Sequence, residues 1–217
     1  MPEATLTISS RNYSSWSLRG WLLCRLAGLD IAVEQVPSDD PGVRAELLLL
    51  SPSFLVPRLT HGDVSVWDTL AIAGYLNELK PAAGMLPRER VARAHCRSVS
   101  GEMHGGFANL RSALPMNLKA HYPGFKVWGG ARADIRRIQD IWRDCFARYG
   151  GPWLFGAQTM ADAMYAPVCA RFLTYDVALE PTAADYCQQI AEWPAMQEWA
   201  EAARAEPDEL EELEVEF

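Results

Sequence analysis

The sequence predicts a chain in two parts, a small α/β layer over the first eighty residues and an all-α helical bundle after it. Three observations predict this. Short β-patterned runs alternate with helical ones up to about residue 79, strand patterns then cease, and a stretch rich in proline and glycine separates the two regimes.

Thr5 to Ser9 alternates polar and apolar residues, which puts Leu6 and Ile8 on one face of a short strand. From Leu18 the period changes. Leu18, Trp21, Leu22, Leu26 and Leu29 follow helical spacing, and Gly28 stands where a helix would close. Ile31 to Val36 reads as a second strand, and Val43 to Leu50 as a short helix ended by Pro52. Pro57–Thr60 and Val64–Trp67 flank His61-Gly62-Asp63 and predict a hairpin, followed by a helix from Asp68 or Thr69 to Leu79. Lys80 to Pro87 is the linker-like stretch. Beyond it, helical patterns cover Arg88 to Leu114, Arg132 to Tyr149, Ala161 to Tyr175, and Thr182 to Arg204 with a break at Pro194. Domain boundaries are accordingly set at 1–80, a linker at 81–87, a helical domain at 88–205 and a tail at 206–217.

Composition excludes several classes. Of 217 residues 49% are hydrophobic and 22% charged, ordinary for a globular protein, and no apolar run nears the roughly 18 residues that span a bilayer. The first residues lack a basic segment leading into an apolar one, so a secretory leader is not expected. Five scattered cysteines without a C-x-x-C pair suit neither a disulfide framework nor a zinc site, and with four isolated histidines no metal is expected. A cytoplasmic location with reduced thiols follows as the expectation. The formal charge of −8 is concentrated: the last twelve residues hold seven of the 28 acidic side chains and no basic ones, leaving 21 acidic against 20 basic. A nearly neutral body offers no surface for nucleic acid. Leu210, Leu213, Val215 and Phe217 could let the tail dock on the body, but a solvated tail is the simpler expectation.

Three local motifs carry the chemistry. Arg11-Asn12-Tyr13-Ser14-Ser15-Trp16-Ser17-Leu18-Arg19 joins the first strand to the first helix, Leu55-Val56-Pro57-Arg58-Leu59 opens the hairpin, and Trp67-Asp68-Thr69-Leu70 starts the next helix. In this order and spacing they resemble the glutathione transferase family, and the resemblance spans nearly the whole chain. It is nearest to serine-dependent members of the tau, zeta and theta type. It implies a thioredoxin-like N-terminal domain that binds glutathione and an all-helical domain that binds an electrophilic co-substrate. It also implies a homodimer and a detoxification role.

The first motif has a physical rationale. A thiol with a reference pKa of about 8.5 is mostly protonated at neutral pH. Lowering that value by about two units takes roughly 2.7 kcal/mol of preference for the anion. One charge-assisted hydrogen bond from a hydroxyl, beside a helix N-terminus, can supply it. The resemblance points to Ser14, five residues before Arg19, as that donor. Ser15, in the first helical turn, is the second candidate and Tyr13 a weaker one. Serine is also a preferred helix N-cap, which either residue could serve. Some zeta-like members place their serine where this chain has Asn12. No cysteine lies here, so exchange through a mixed disulfide is disfavoured, and Cys24 reads as a core residue.

For the second motif the resemblance implies a cis Val56–Pro57 bond that turns the Val56 backbone toward the cysteinyl part of glutathione, as an added strand would pair. Members often carry Lys or Gln before this valine to meet the glycine carboxylate. Here Leu55 stands there. For the third, Thr69 would hold the γ-glutamyl carboxylate at a helix N-terminus while Asp68 pairs with its ammonium group or caps the helix. In the helical half Met103, Phe107, Arg111 and Leu114 are spaced to share one helical face. The first three, with Tyr13, form the expected co-substrate pocket. Gly105-Gly106 within that helix costs roughly 1–2 kcal/mol and hints at a close approach. His104 is expected to be a hydrogen-bonding residue of the core or pocket. Thr159 to Asp162 has capping-box spacing.

Conjugation of glutathione thiolate to a hydrophobic electrophile is the leading expectation. Glutathione-dependent cis–trans isomerisation of the maleylacetoacetate type is an alternative, with Arg11 and Arg111 orienting a carboxylated substrate. A non-catalytic scaffold that binds another protein is the reading from a different class.

Overall fold

The computed structural model describes residues 2–37, 40–42 and 56–207. The expected helix over 43–50 and the residue Leu55 lie outside these, as does the tail beyond Pro207.

Four strands form one mixed sheet: β1 (Ala4–Ile8), β2 (Ile31–Gln35), β3 (Arg58–His61) and β4 (Val64–Trp67), in the order β2-β1-β3-β4. β1 runs parallel to β2 and antiparallel to β3, with Leu6 opposite Val33 on one side and Leu59 on the other. Helix α1 (Ser15–Ala27) makes the crossover between β1 and β2. Leu6 and Ile8 are wholly buried, as their alternation predicts. The hairpin loop is Gly62–Asp63, one residue shorter than the three-residue turn expected, because His61 pairs with Val64 as part of β3. Gly62 takes the φ of 60° that a tight two-residue hairpin loop asks of its first residue.

Helix α2 (Thr69–Leu79) closes the layer. α1 ends at Gly28, whose φ of 67° lets its N–H reach the carbonyls of Arg25 and Cys24. Along α1 not only Leu18, Trp21 and Leu22 but also Ser17, Arg19, Gly20, Leu23 and Cys24 are buried, so this helix lies between two layers rather than on a surface. Trp21 packs on Trp199 with ring centroids 5.8 Å apart.

The helical half comprises α3 (Arg90–Gly105), α4 (Ala108–Ala113), α5 (Gly129–Tyr149), α6 (Met160–Thr174), α7 (Pro181–Ala191) and α8 (Pro194–Ala205). α6 is buried over nearly its whole length and is the axis of the bundle. Its start is held by Asp162, whose carboxylate accepts from Thr159 N at 2.7 Å, Leu154 N at 3.2 Å and Tyr186 Oη at 3.0 Å. Burial nevertheless pushes the Asp162 carboxyl up to about 6, and these hydrogen bonds oppose the rise.

The expectation of one helix from Arg88 to Leu114 is corrected. The helix stops at Gly105, Gly106 is extended, and Phe107 adopts φ 61° before a short α4 begins. A Cβ on Gly106 would lie 2.6 Å from Glu102 O, so only glycine fits the break. Phe107, Arg111 and Leu114 are thereby displaced from the face that carries Met103.

Gly20 makes the closest approach between α1 and the β3 entry. A Cβ there would sit 2.6 Å from Pro57 Cβ, a ring atom with little room to move. Gly20→Ala is expected to lower unfolding free energy by about 1–3 kcal/mol from overpacking, despite a helix-propensity gain of about 1 kcal/mol. Chemical denaturation would check it, and an unchanged midpoint would show that the contact does not constrain α1.

Candidate functional site

The N-terminal end of α1 lies where the two halves meet, and the three motifs converge on its first two turns. Ser14 is the N-cap of α1, and its Oγ accepts from Ser17 N at 3.2 Å. Ser15 Oγ accepts from Arg19 Nη1 at 3.4 Å. Both serines are buried, as is Tyr13. The Val56–Pro57 bond is cis, and Pro57 rests against Gly20 one turn along α1 from Trp16. Asp68 has φ 72° and caps α2, its Oδ1 accepting from Leu70 N at 2.8 Å and Ala71 N at 3.2 Å.

His104 joins the third motif to the first. Its Nε2 lies 3.0 Å from Asp68 Oδ2 and its Nδ1 3.2 Å from Thr69 Oγ1, while its ring meets that of Trp16 at 5.0 Å. A carboxylate can only accept, so Nε2 carries the hydrogen. In neutral imidazole Nδ1 then accepts from the Thr69 hydroxyl. Burial pushes the Asp68 carboxyl up, but hydrogen bonds from His104 and from the Ala71 and Leu70 amides, with the His104 charge, hold it below its ordinary value. His104 therefore already engages both side chains that the γ-glutamyl group was expected to use. The sequence marked His104 only as a polar core or pocket residue, because its partners lie 35 residues or more away.

The expected pocket residues separate. Met103 is fully buried in the core, Phe107 stands at the break itself, and Tyr13 is buried in the segment before α1. Arg111 is half-buried and stands 4.8 Å from the Trp16 ring, with Nη2 donating to Met103 O and His104 O. Arg11 does not join it. Its Nη1 donates to Gln35 Oε1 at 2.6 Å and its guanidinium lies over Trp199. The pairing of Arg11 with Arg111 on one substrate is therefore corrected, since they face different ends of the segment.

Two further residues were missed. Asn12 is buried and pins the segment to the helical half, its Oδ1 accepting from Leu118 N at 2.7 Å and Lys119 N at 3.0 Å while Nδ2 donates to Asn117 Oδ1 at 3.0 Å. Glu206, expected at the head of a solvated tail, is 7% exposed. Its carboxylate accepts from Ser10 Oγ at 2.7 Å, Arg11 N at 3.0 Å, Asn12 N at 3.1 Å and Gln35 Nε2, and its own carbonyl accepts from Lys119 Nζ. A charged acceptor facing consecutive backbone amides is favoured over water there, which reverses the expectation for this residue. The local signal was nothing more than one more acidic residue in an acidic run.

Burial pushes the Cys24 thiol up to about 12, which keeps it protonated and unreactive. Among the described residues no group of three or more His, Cys, Asp or Glu side chains is placed to hold a metal ion, and no helix is long and apolar enough to cross a membrane.

Comparison with known proteins bears on the N-terminal domain and the fold. Residues 13–79 match the family model for the glutathione S-transferase N-terminal domain. A structure of a glutathione transferase homologue from Burkholderia GL BGR1, with bound glutathione, superposes with a TM-score of 0.69 at 22% identity, covering 95% of this chain and all of that one. Residues 13–79 thus carry the sequence pattern of the glutathione S-transferase N-terminal domain, and the chain has the glutathione transferase fold. Glutathione S-transferase 1 of Dianthus caryophyllus is 34% identical over 90 residues, 41% of each chain. A probable maleylacetoacetate isomerase of Caenorhabditis elegans is 26% identical over 108 residues, 50% of each. The chain spans about half the length, or less, of these two curated relatives.

Glu206→Ala is expected to cost about 2–3 kcal/mol of stability, because four donors lose a charged acceptor. Equilibrium denaturation would measure it, and a loss below a few tenths would mean that water replaces the carboxylate. Asp68→Asn separates the charge from the cap. Since the folded-state value of Asp68 is depressed, its charge stabilises the fold above the unfolded carboxyl value of about 4 and ceases to do so as pH falls through the folded one. The difference in melting temperature between Asp68→Asn and wild type should be present at pH 7 and shrink away as pH falls below the ordinary carboxyl value of about 4.

Proposed function

We propose that the protein is a glutathione transferase that holds glutathione as thiolate for attack on a hydrophobic electrophile. The observation that carries the reading is the convergence of the Ser14–Ser15 end of α1, the cis Val56–Pro57 turn and the Asp68–Thr69 helix start around one helix. In this reading residues 1–80 bind glutathione, 81–87 link, and 88–205 supply the co-substrate side. The Val56 backbone pairs with the cysteinyl unit, Asp68 and Thr69 take the γ-glutamyl end alongside or in place of His104, and a serine hydroxyl donates to sulfur. Ser14 is the first candidate and Ser15 the second. The thiol proton leaves to solvent, the C–S bond forms, and the leaving group departs with its electron pair. Thiolate stabilisation and proximity are what the protein contributes. The chain acts as a cytoplasmic homodimer without a metal, with detoxification as its role.

A second reading, reversible thiolate addition that isomerises a conjugated cis double bond, draws support from the isomerase named among the relatives. It uses the same sulfur site.

Calorimetry with glutathione tests the reading first: no binding at millimolar ligand would favour a protein-binding scaffold. If binding is present, the donor serine replaced by alanine should lower kcat/KM with an aryl halide by about 10–100-fold. The acidic limb of its pH–rate profile should also move up toward the free thiol value of about 8.5. Ser14→Ala and Ser15→Ala assayed side by side assign the role. An unchanged profile in both would overturn serine activation.

A further inference from the structure

Three arginines, two buried and one half-buried, come together near Trp16, and among the described residues none of them has a counter-charge. Arg19 on α1 is completely buried, Arg171 on α6 is 4% exposed, and Arg111 on α4 is half-buried. Carbonyl oxygens hold them in place. Arg19 Nε donates to Met164 O at 2.8 Å, Arg171 Nε to Leu114 O at 2.8 Å and Nη1 to Pro167 O at 3.2 Å, and Arg111 Nη2 to Met103 O and His104 O. Arg19 and Arg111 each stand 4.8 Å from the centre of the Trp16 ring.

What these contacts leave undone is the charge. Carbonyls and an indole face satisfy donors but do not neutralise a guanidinium. Among the described residues none of the three forms an ion pair with a carboxylate. Two buried donors, Arg19 Nη2 and Arg111 Nε, have no hydrogen-bond partner among the described residues. Burial, and after it the charge of Arg111 and Arg171, drives the Arg19 guanidinium well below its ordinary value. Burial and Arg111 together bring Arg171 to about 9. Buried like charges are strongly disfavoured unless an anion joins them. A folded chain that keeps three of them together, with orphaned N–H groups between helices from both halves, has the makings of an anion site.

We propose that Arg19, Arg111 and Arg171 form a subsite for a carboxylate, and that this carboxylate belongs to the co-substrate. Planar guanidinium forks match a carboxylate in two-point geometry, which a single point charge would not. Arg111 and Trp16 are the partly exposed members and give the ligand its way in. Arg19 also donates to Ser15 Oγ, so the bound carboxylate lies within one arginine of the serine end of α1. The electrophile is thereby narrowed to acidic, aromatic or conjugated compounds. Assigning the anion to a co-substrate rests on the glutathione reading above; the binding itself does not.

Benzoate and its neutral isostere benzamide test the subsite without glutathione or turnover. Calorimetry on the full chain is expected to show benzoate binding at least about tenfold more tightly than benzamide. Arg111→Gln should abolish that preference. Chloride or sulfate at matched ionic strength should compete only weakly. Equal binding of the two probes, a preference that survives Arg111→Gln, or displacement of benzoate by an equal concentration of sulfate would each overturn the proposal. Should Arg111→Gln not fold, the wild-type comparison of benzoate, benzamide and sulfate decides alone. A benzoate preference in a protein that does not bind glutathione would uphold the subsite while sinking the co-substrate assignment.

Discussion

The Pro57 ring fills the space where any side chain at Gly20 would stand. That contact sets how near the β3 entry comes to α1. Everything chemical in the molecule is arranged around the next turn of the same helix. Because α1 is buried on nearly all sides, it cannot shift to relieve a collision, so the packing that holds it also positions Ser14, Ser15, Trp16 and Arg19. The helix meets the sheet side at Gly20, against Pro57 and Leu6, and the bundle through Trp21 and Arg19, and it is the element on which both halves close.

Electrostatics act on the two ends of the serine segment in opposite ways. On one side Glu206, at the exit of α8, presents a carboxylate to the Ser10 hydroxyl and to the Arg11 and Asn12 amides. On the other side three guanidiniums meet with no carboxylate paired to them among the described residues. Between them His104 bridges Asp68 and Thr69, so the start of α2 is tied to the helical half through one imidazole. The glutathione transferase fold therefore carries in this chain an inter-layer network of its own, made from Asn12, His104 and Glu206.

Much of the fold was legible because it rests on local rules. The alternation of Leu6 and Ile8, the glycine after α1, the capping pair Thr159 and Asp162, and the break at Pro194 each fall within a few residues of what they determine. The long helix through Gly105-Gly106 was misjudged for a related reason. Helical periodicity continues across the glycines, but the Gly106 position tolerates no Cβ beside Glu102 O, and Phe107 turns left-handed. Apolar spacing alone cannot register that collision. The same limit displaced Phe107 and Arg111 from the helical face of Met103 and parted Arg11 from Arg111.

By itself the sequence determined the order of elements, the two-part organisation, the three motifs and their spacing, since these are properties of neighbours along the chain. The tertiary structure alone decided that Glu206 is a clasp rather than the head of a solvated tail, that His104 holds Asp68 and Thr69, and that the charges of Arg19, Arg111 and Arg171 come within reach of one another. Each depends on groups 35 to about 195 residues apart coming within hydrogen-bonding or Coulombic reach. Burial then changes what a charge costs, and no pattern of adjacent residues encodes which distant charges will be buried together.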